Sequence, residues 1–137
     1  MKIWKDAKQN EYHTQITVAE VRALKTELGV NLMEIATGDL LGKISEDVCL
    51  LCDILYVIHR DEASKYGISD ADFGRNLYGD ALEDATKAFV EETVNFFPNA
   101  KTRALLTKAM TKGQERMDKA LEKADEELEK ELSKPIE

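Results

Sequence analysis

The chain has 137 residues, 43% apolar and 34% charged, with 27 acidic against 19 basic side chains and a net charge of −8. That length supports one compact domain with its own core, without metal or disulfide staples, and the acidic balance excludes duplex nucleic acid and anionic membrane surfaces as partners. The opening MKIWKDAKQN lacks the apolar run of a signal peptide, nothing approaches the roughly 20 apolar residues of a membrane span, and two cysteines fit a reducing cytoplasm.

Ile3 and Trp4, then Tyr12, Thr14 and Ile16, are β-formers flanking the polar AKQN, so a short hairpin of Lys2–Asp6 with Glu11–Ile16 is expected. Such a ribbon is marginal alone and must pack on something. Thr17 and Glu20 have the spacing of a capping box. Val18, Val21, Leu24 and Leu28 follow at helical spacing and Gly29 suits a left-handed C-cap, giving a helix over Val18–Leu28. The next stretch, VNLMEIATGDLLGK, is apolar but broken by Gly38 and Gly42; it reads as a helical turn and loop against the core.

Ser45, Glu46 and Asp47 open a second strong helix, expected to reach about Tyr66 with Gly67 as its cap. Val48, Leu51, Cys52, Leu55, Ile58 and His59 form one stripe, and Leu50, Ile54 and Val57 widen it almost all round. A helix apolar on most sides belongs at the centre.

The segment Ile68–Pro98 carries all four phenylalanines: Phe73, Phe89, Phe96 and Phe97. Ser69, with Asp70 and Asp72 behind it, starts a short helix to about Leu77. Gly79 and Asp80 mark a break and a new N-cap, and a long helix follows over Asp80–Phe97. Its inward face comprises Ala81, Leu82, Ala85, Ala88, Phe89, Glu92, Thr93 and Phe96. Phe96 and Phe97 are adjacent and cannot face the same way, so one of the two is a candidate for exposure and partner contact.

Beyond Pro98, Asn99 caps a further helix that still offers Leu105, Leu106, Ala109 and Met110 to the core. Gly113 is expected to interrupt it. From Gln114 to the end there are nine acids and five bases, half of the chain's net charge, in a composition of strong helix formers. Met117, Leu121, Ala124, Leu128 and Leu132 make a thin apolar seam, too narrow to hold itself on a core. It either projects as a solvated helix or lays its seam on a partner, including a second copy of the chain. The expected class is mainly α: a small domain of about five helices with a short N-terminal β-hairpin, over 1–112, and a charged helical tail over 113–137.

No constellation suggests catalysis. Cys49 and Cys52 match a redox or half-zinc spacing, but no second cysteine pair exists and no strand precedes them, so buried packing is the expected role. His13 and His59 have no nucleophile in a catalytic arrangement; His59 is expected to be partly buried or in the last helical turn. Asp70-Ala-Asp72-Phe-Gly74 departs from a calcium loop, because the glycine comes early and Ala81 stands at the bidentate acid's place. No phosphate-cradling glycine motif occurs. The expectation is a non-enzyme with no metal and no cofactor.

Several runs together resemble tail assembly chaperones of long-tailed bacteriophages and related prophages: Glu34-Ile35, Cys52-Asp-Ile-Leu-Tyr-Val-Ile58, Tyr66-Gly-Ile-Ser-Asp-Ala-Asp-Phe73, Gly79-Asp-Ala-Leu82 and Asn95-Phe-Phe-Pro98. The resemblance spans about Thr17 to Pro98, and none of its motifs is catalytic. It implies a protein of the bacterial host's cytoplasm that binds the tape measure protein, keeps that protein's helical apolar surface from aggregating, and helps tail tube protein polymerise around it. Phe96, Phe97, Met117, Leu121, Leu128 and Leu132 are then the candidate partner-binding residues. The rival expectation is a small structural tail or connector subunit of a phage particle.

Overall fold

The computed structural model describes residues 1–37 and 39–134, with the backbone alone for 36, 37, 39, 113 and 114. Two strands, β1 (Lys2–Lys5) and β2 (Glu11–Thr14), are followed by α1 (Val18–Leu28) and a 3-10 turn (Leu32–Thr37). Then come α2 (Asp39–Glu46), α3 (Val48–Lys65), α4 (Asp70–Arg75), α5 (Gly79–Phe96) and α6 (Ala100–Leu132). The mainly helical class with an N-terminal hairpin is therefore what the chain adopts. Two compact units divide it, Met1–Pro98 and Asn99–Glu137.

Local signals explain most element starts in the first unit. Thr17 caps α1 by accepting from the Ala19 amide at 3.2 Å, and Glu20 reaches back to accept from the Thr17 amide at 2.7 Å. Gly29 ends the helix in the left-handed region at φ 66°, which a residue with a Cβ adopts only under strain. Ser69 caps α4 by accepting from the Asp72 amide. For α3 the cap is Asp47, two residues later than the Ser45 start expected.

The hairpin is antiparallel, pairing Ile3 with His13 and Trp4 with Tyr12. Its loop is organised by Asp6, which is buried; Oδ1 accepts from the amides of Lys8 and Asn10, each at 2.9 Å, and Oδ2 accepts from Asn10 Nδ2 at 3.0 Å. The ribbon finds the support it needs: β1 lies on α5 and β2 on α3. Helix α3 is the hub of this unit, touching α1, α2, α4, α5 and β2, and its Leu51, Ile54, Leu55, His59 and Ala63 are buried.

Four expectations change. The glycine-broken stretch after Asn31 contains a full helix, α2, because Leu40 and Ile44 gain more by burial than Gly42 loses in helix propensity. Tyr78 occupies the N-cap of α5 without a side-chain bond, so Asp80 lies inside the first turn and is not the cap. The chain divides at Pro98, and α6 runs unbroken through Gly113. An interior glycine costs a helix only about 1 kcal/mol relative to alanine, too little to stop one flanked by strong helix formers. Leu105, expected in the core, is 67% exposed.

Candidate partner-binding surface

The histidines and cysteines singled out in the sequence lie on α3 or against it. Along α3, His59 is 1% exposed and sits more than a turn before the helix end. Its Nδ1 lies 2.7 Å from the Leu55 carbonyl, which can only accept, so Nδ1 carries the proton and Nε2 is left as an acceptor. The Thr14 hydroxyl donates to Nε2 at 2.6 Å and itself accepts from the Trp4 indole at 2.9 Å. Burial pushes His59 down to about 4 and keeps it neutral. Trp4 stacks on Tyr12 with centroids 4.7 Å apart, and Phe73 meets Trp4, Tyr12 and His59. The knot fastens the hairpin to α3 and buries the His59 imidazole.

Outside the knot, His13 Nδ1 lies 2.8 Å from Glu62 Oε2, and that hydrogen bond raises the histidine's pKa. Cys49 is exposed, contrary to the buried role expected of it, because α3 turns this position away from the elements packed on it. Cys52 is half-buried, and burial pushes its thiol up, away from the reactive thiolate. Asp70 and Asp72 stand in the first turn of α4, behind the Ser69 cap, and Asp72 pairs with Arg75 at 2.8 Å. Among the described residues no group of three or more His, Cys, Asp and Glu is placed to hold a metal ion. A surface hollow of ≈470 Å³ between the hairpin loop and the start of α5 is lined by Lys5, Asp6, Tyr78, Asp80 and Asp84. Its buried acid, Asp6, is committed to the loop.

Of the six candidate contact residues, the structure separates the two phenylalanines. Phe97 is buried, while Phe96 is half-buried, with the rings 6.0 Å apart edge to face. Phe97 is therefore a core residue, and Phe96 keeps some accessible area.

The other four lie on α6, a 33-residue helix that Asn99 caps by accepting from the Lys101 amide at 2.8 Å. Met117, Leu121, Leu128 and Leu132 are 52%, 63%, 57% and 77% exposed. At about 100° per residue they share one side of the helix with Ala124 and Met110. Isolated exposed apolar residues need no explanation, but these four form a row at heptad-like spacing on a helix otherwise full of Glu and Lys.

A second feature of α6 has a clear signal in the sequence and escaped the expectations above. From Lys101 to Lys119 six bases stand against two acids, and from Glu122 to Lys134 six acids stand against three bases. The helix is electrically polarised along its length. No protein-family model, curated protein or solved structure matches this chain.

Proposed function

We propose that this protein is a non-enzymatic tail assembly chaperone, working in the cytoplasm of a bacterial host, that binds the tape measure protein and assists tail tube polymerisation. The observation that carries the reading is the exposed seam of Met117, Leu121, Leu128 and Leu132 on α6. A seam of this width suits a long helical client whose own apolar stripe must be covered until tube subunits enclose it. The net charge of −8 keeps such a face soluble between encounters. The resemblance over Thr17–Pro98 supplies the identity of the client; the seam supplies a means of holding it.

The test is co-expression with the neighbouring tape measure gene. The native chain should raise that protein's soluble fraction several-fold and co-purify with it. A variant carrying Leu121→Glu and Leu128→Glu should do neither while keeping a folded first unit. Mass spectrometry of purified particles should not find the chain. Its presence there, with no effect on tape measure solubility, would instead identify a structural tail subunit.

A further inference from the structure

We propose that Cys49 and Cys52 are an oxidisable pair, which a small disulfide converts into a bridge within the first turns of α3. Cys49 is the second residue of that helix and is exposed, so a reagent can reach it. Cys52 stands three positions on and is half-buried. Its Sγ faces Gly74 of α4, 3.6 Å from where a Cβ on that glycine would lie. Helix geometry sets residues three apart about 5 Å from Cα to Cα, inside the span of about 4.4–6.8 Å that a disulfide accepts. Their Cβ atoms stand about 5–6 Å apart against about 3.5–4.5 Å in a relaxed bridge, so closure must tighten the turn by about 1–2 Å. The start of α3 tolerates that. Asp47 holds the Leu50 amide at 3.1 Å, but the amides of Val48 and Cys49 lie before the first intrahelical bond, so moving them breaks none that they donate.

The two thiols are unequal in the order that exchange requires. Burial pushes the Cys52 thiol up, and Asp53, Asp70 and Cys49 add to it, so this sulfur waits protonated while exposed Cys49 meets the reagent. The Cys49 thiolate attacks one sulfur of R–S–S–R; that bond breaks, a mixed disulfide forms on Cys49, and one thiolate leaves. Cys52 then loses its proton and attacks the Cys49 sulfur, the mixed bond breaks, and the second thiolate leaves. The chain gives up two protons and two electrons, and the reagent carries both away as two molecules of thiol. Asp53 and Asp70 beside Cys52 favour an uncharged disulfide over an anionic one. A bridge that must pull its turn tight is readily reduced again, so the pair suits reversible oxidation and not permanent support. The inference stands on α3 and α4 and does not rest on the tape measure reading.

The full native chain is treated with hydroxyethyl disulfide, an uncharged reagent, and followed by intact mass spectrometry. Its mass should fall by two hydrogens, and dithiothreitol should restore it. Cys52→Ser should stop at a stable adduct, one hydroxyethylthio group on Cys49. Cys49→Ser should take up the same group on Cys52 roughly ten times more slowly; equal rates contradict the order of attack. Two adducts without a bridge, two chains joined through Cys49, no reaction at all, or a bridge that forms only in urea would each overturn the proposal. The oxidised chain should keep native Trp4 fluorescence. A bridge that forms only with loss of that signal belongs to an unfolded chain and also counts against it.

Discussion

Thr14 Oγ1 stands 2.6 Å from His59 Nε2, joining the second strand to the middle of α3 across 45 positions of sequence. Because the histidine's other nitrogen is bound to the Leu55 carbonyl, the threonine must donate, and its oxygen is then free to accept from Trp4. One hydroxyl thus satisfies two buried aromatic nitrogens. Removing it should be felt at both. Thr14→Val keeps the shape and leaves Trp4 Nε1 and His59 Nε2 only their long 3.4 Å hydrogen bond to each other, and should cost about 1–3 kcal/mol in urea unfolding. Thr14→Ser retains the hydroxyl and should recover most of that loss. Equal costs for the two variants would mean that the methyl group, not the hydroxyl, matters.

The same knot sets an acid limit on stability. The ordinary pKa of His59 is 6.5 and burial lowers it to about 4 in the folded chain. Below pH 6.5 the unfolded chain takes up a proton that the folded chain refuses until about pH 4, so stability present at neutral pH is lost across that window. The loss from this group should approach about 3 kcal/mol. His13 behaves oppositely: Glu62 raises its pKa, so the stability it contributes is present below 6.5 and fades as pH rises through the raised value. Proton NMR titration of the two imidazoles checks both directions. A His59 resonance titrating near 6.5 would show the knot to be open.

Phe89 is wholly buried on α5. Phe89→Ala should lower the unfolding free energy by about 3–5 kcal/mol. Leu105→Ala, on a 67% exposed side chain, should stay within about 0.5 kcal/mol of the parent. If the two costs were similar, the inward face assigned to α5 would be wrong.

Continuity of α6 can be read at Gly113. Replacing an interior helical glycine by alanine stabilises the helix by about 1 kcal/mol. Gly113→Ala should therefore raise the circular dichroism signal at 222 nm and its melting midpoint. No gain would place a break where the helix is drawn continuous.

The parts of the fold legible in the sequence are those whose causes lie within a few residues. The capping box of Thr17 and Glu20, the Ser69 cap and the Asn99 cap are each a side chain answering a backbone group two or three positions away, and Gly29 stops α1 through its own left-handed backbone, whose amide bonds back to Lys25. The α6 seam is legible for the same reason, since helical periodicity alone places Met117, Leu121 and Leu128 together. What stayed hidden was decided by distant partners. Helix α2 forms despite Gly42 because Leu40 and Ile44 find a core to enter, and no local signal reveals that core. On α3, apolar almost all round, periodicity could not say that Cys49 faces out while His59 faces in. The hairpin made that choice, by bringing Trp4 and Thr14 to one side of the helix and supplying the Thr14 hydroxyl that satisfies His59 Nε2, the nitrogen the helix itself leaves open. The sequence by itself determined where α1, α4 and α6 begin and which residues line the tail's seam, because both follow from short-range geometry. The tertiary structure alone decided that His59 is buried, because burial without a partner is prohibitive and the partner of its Nε2, Thr14, comes from a strand 45 positions away.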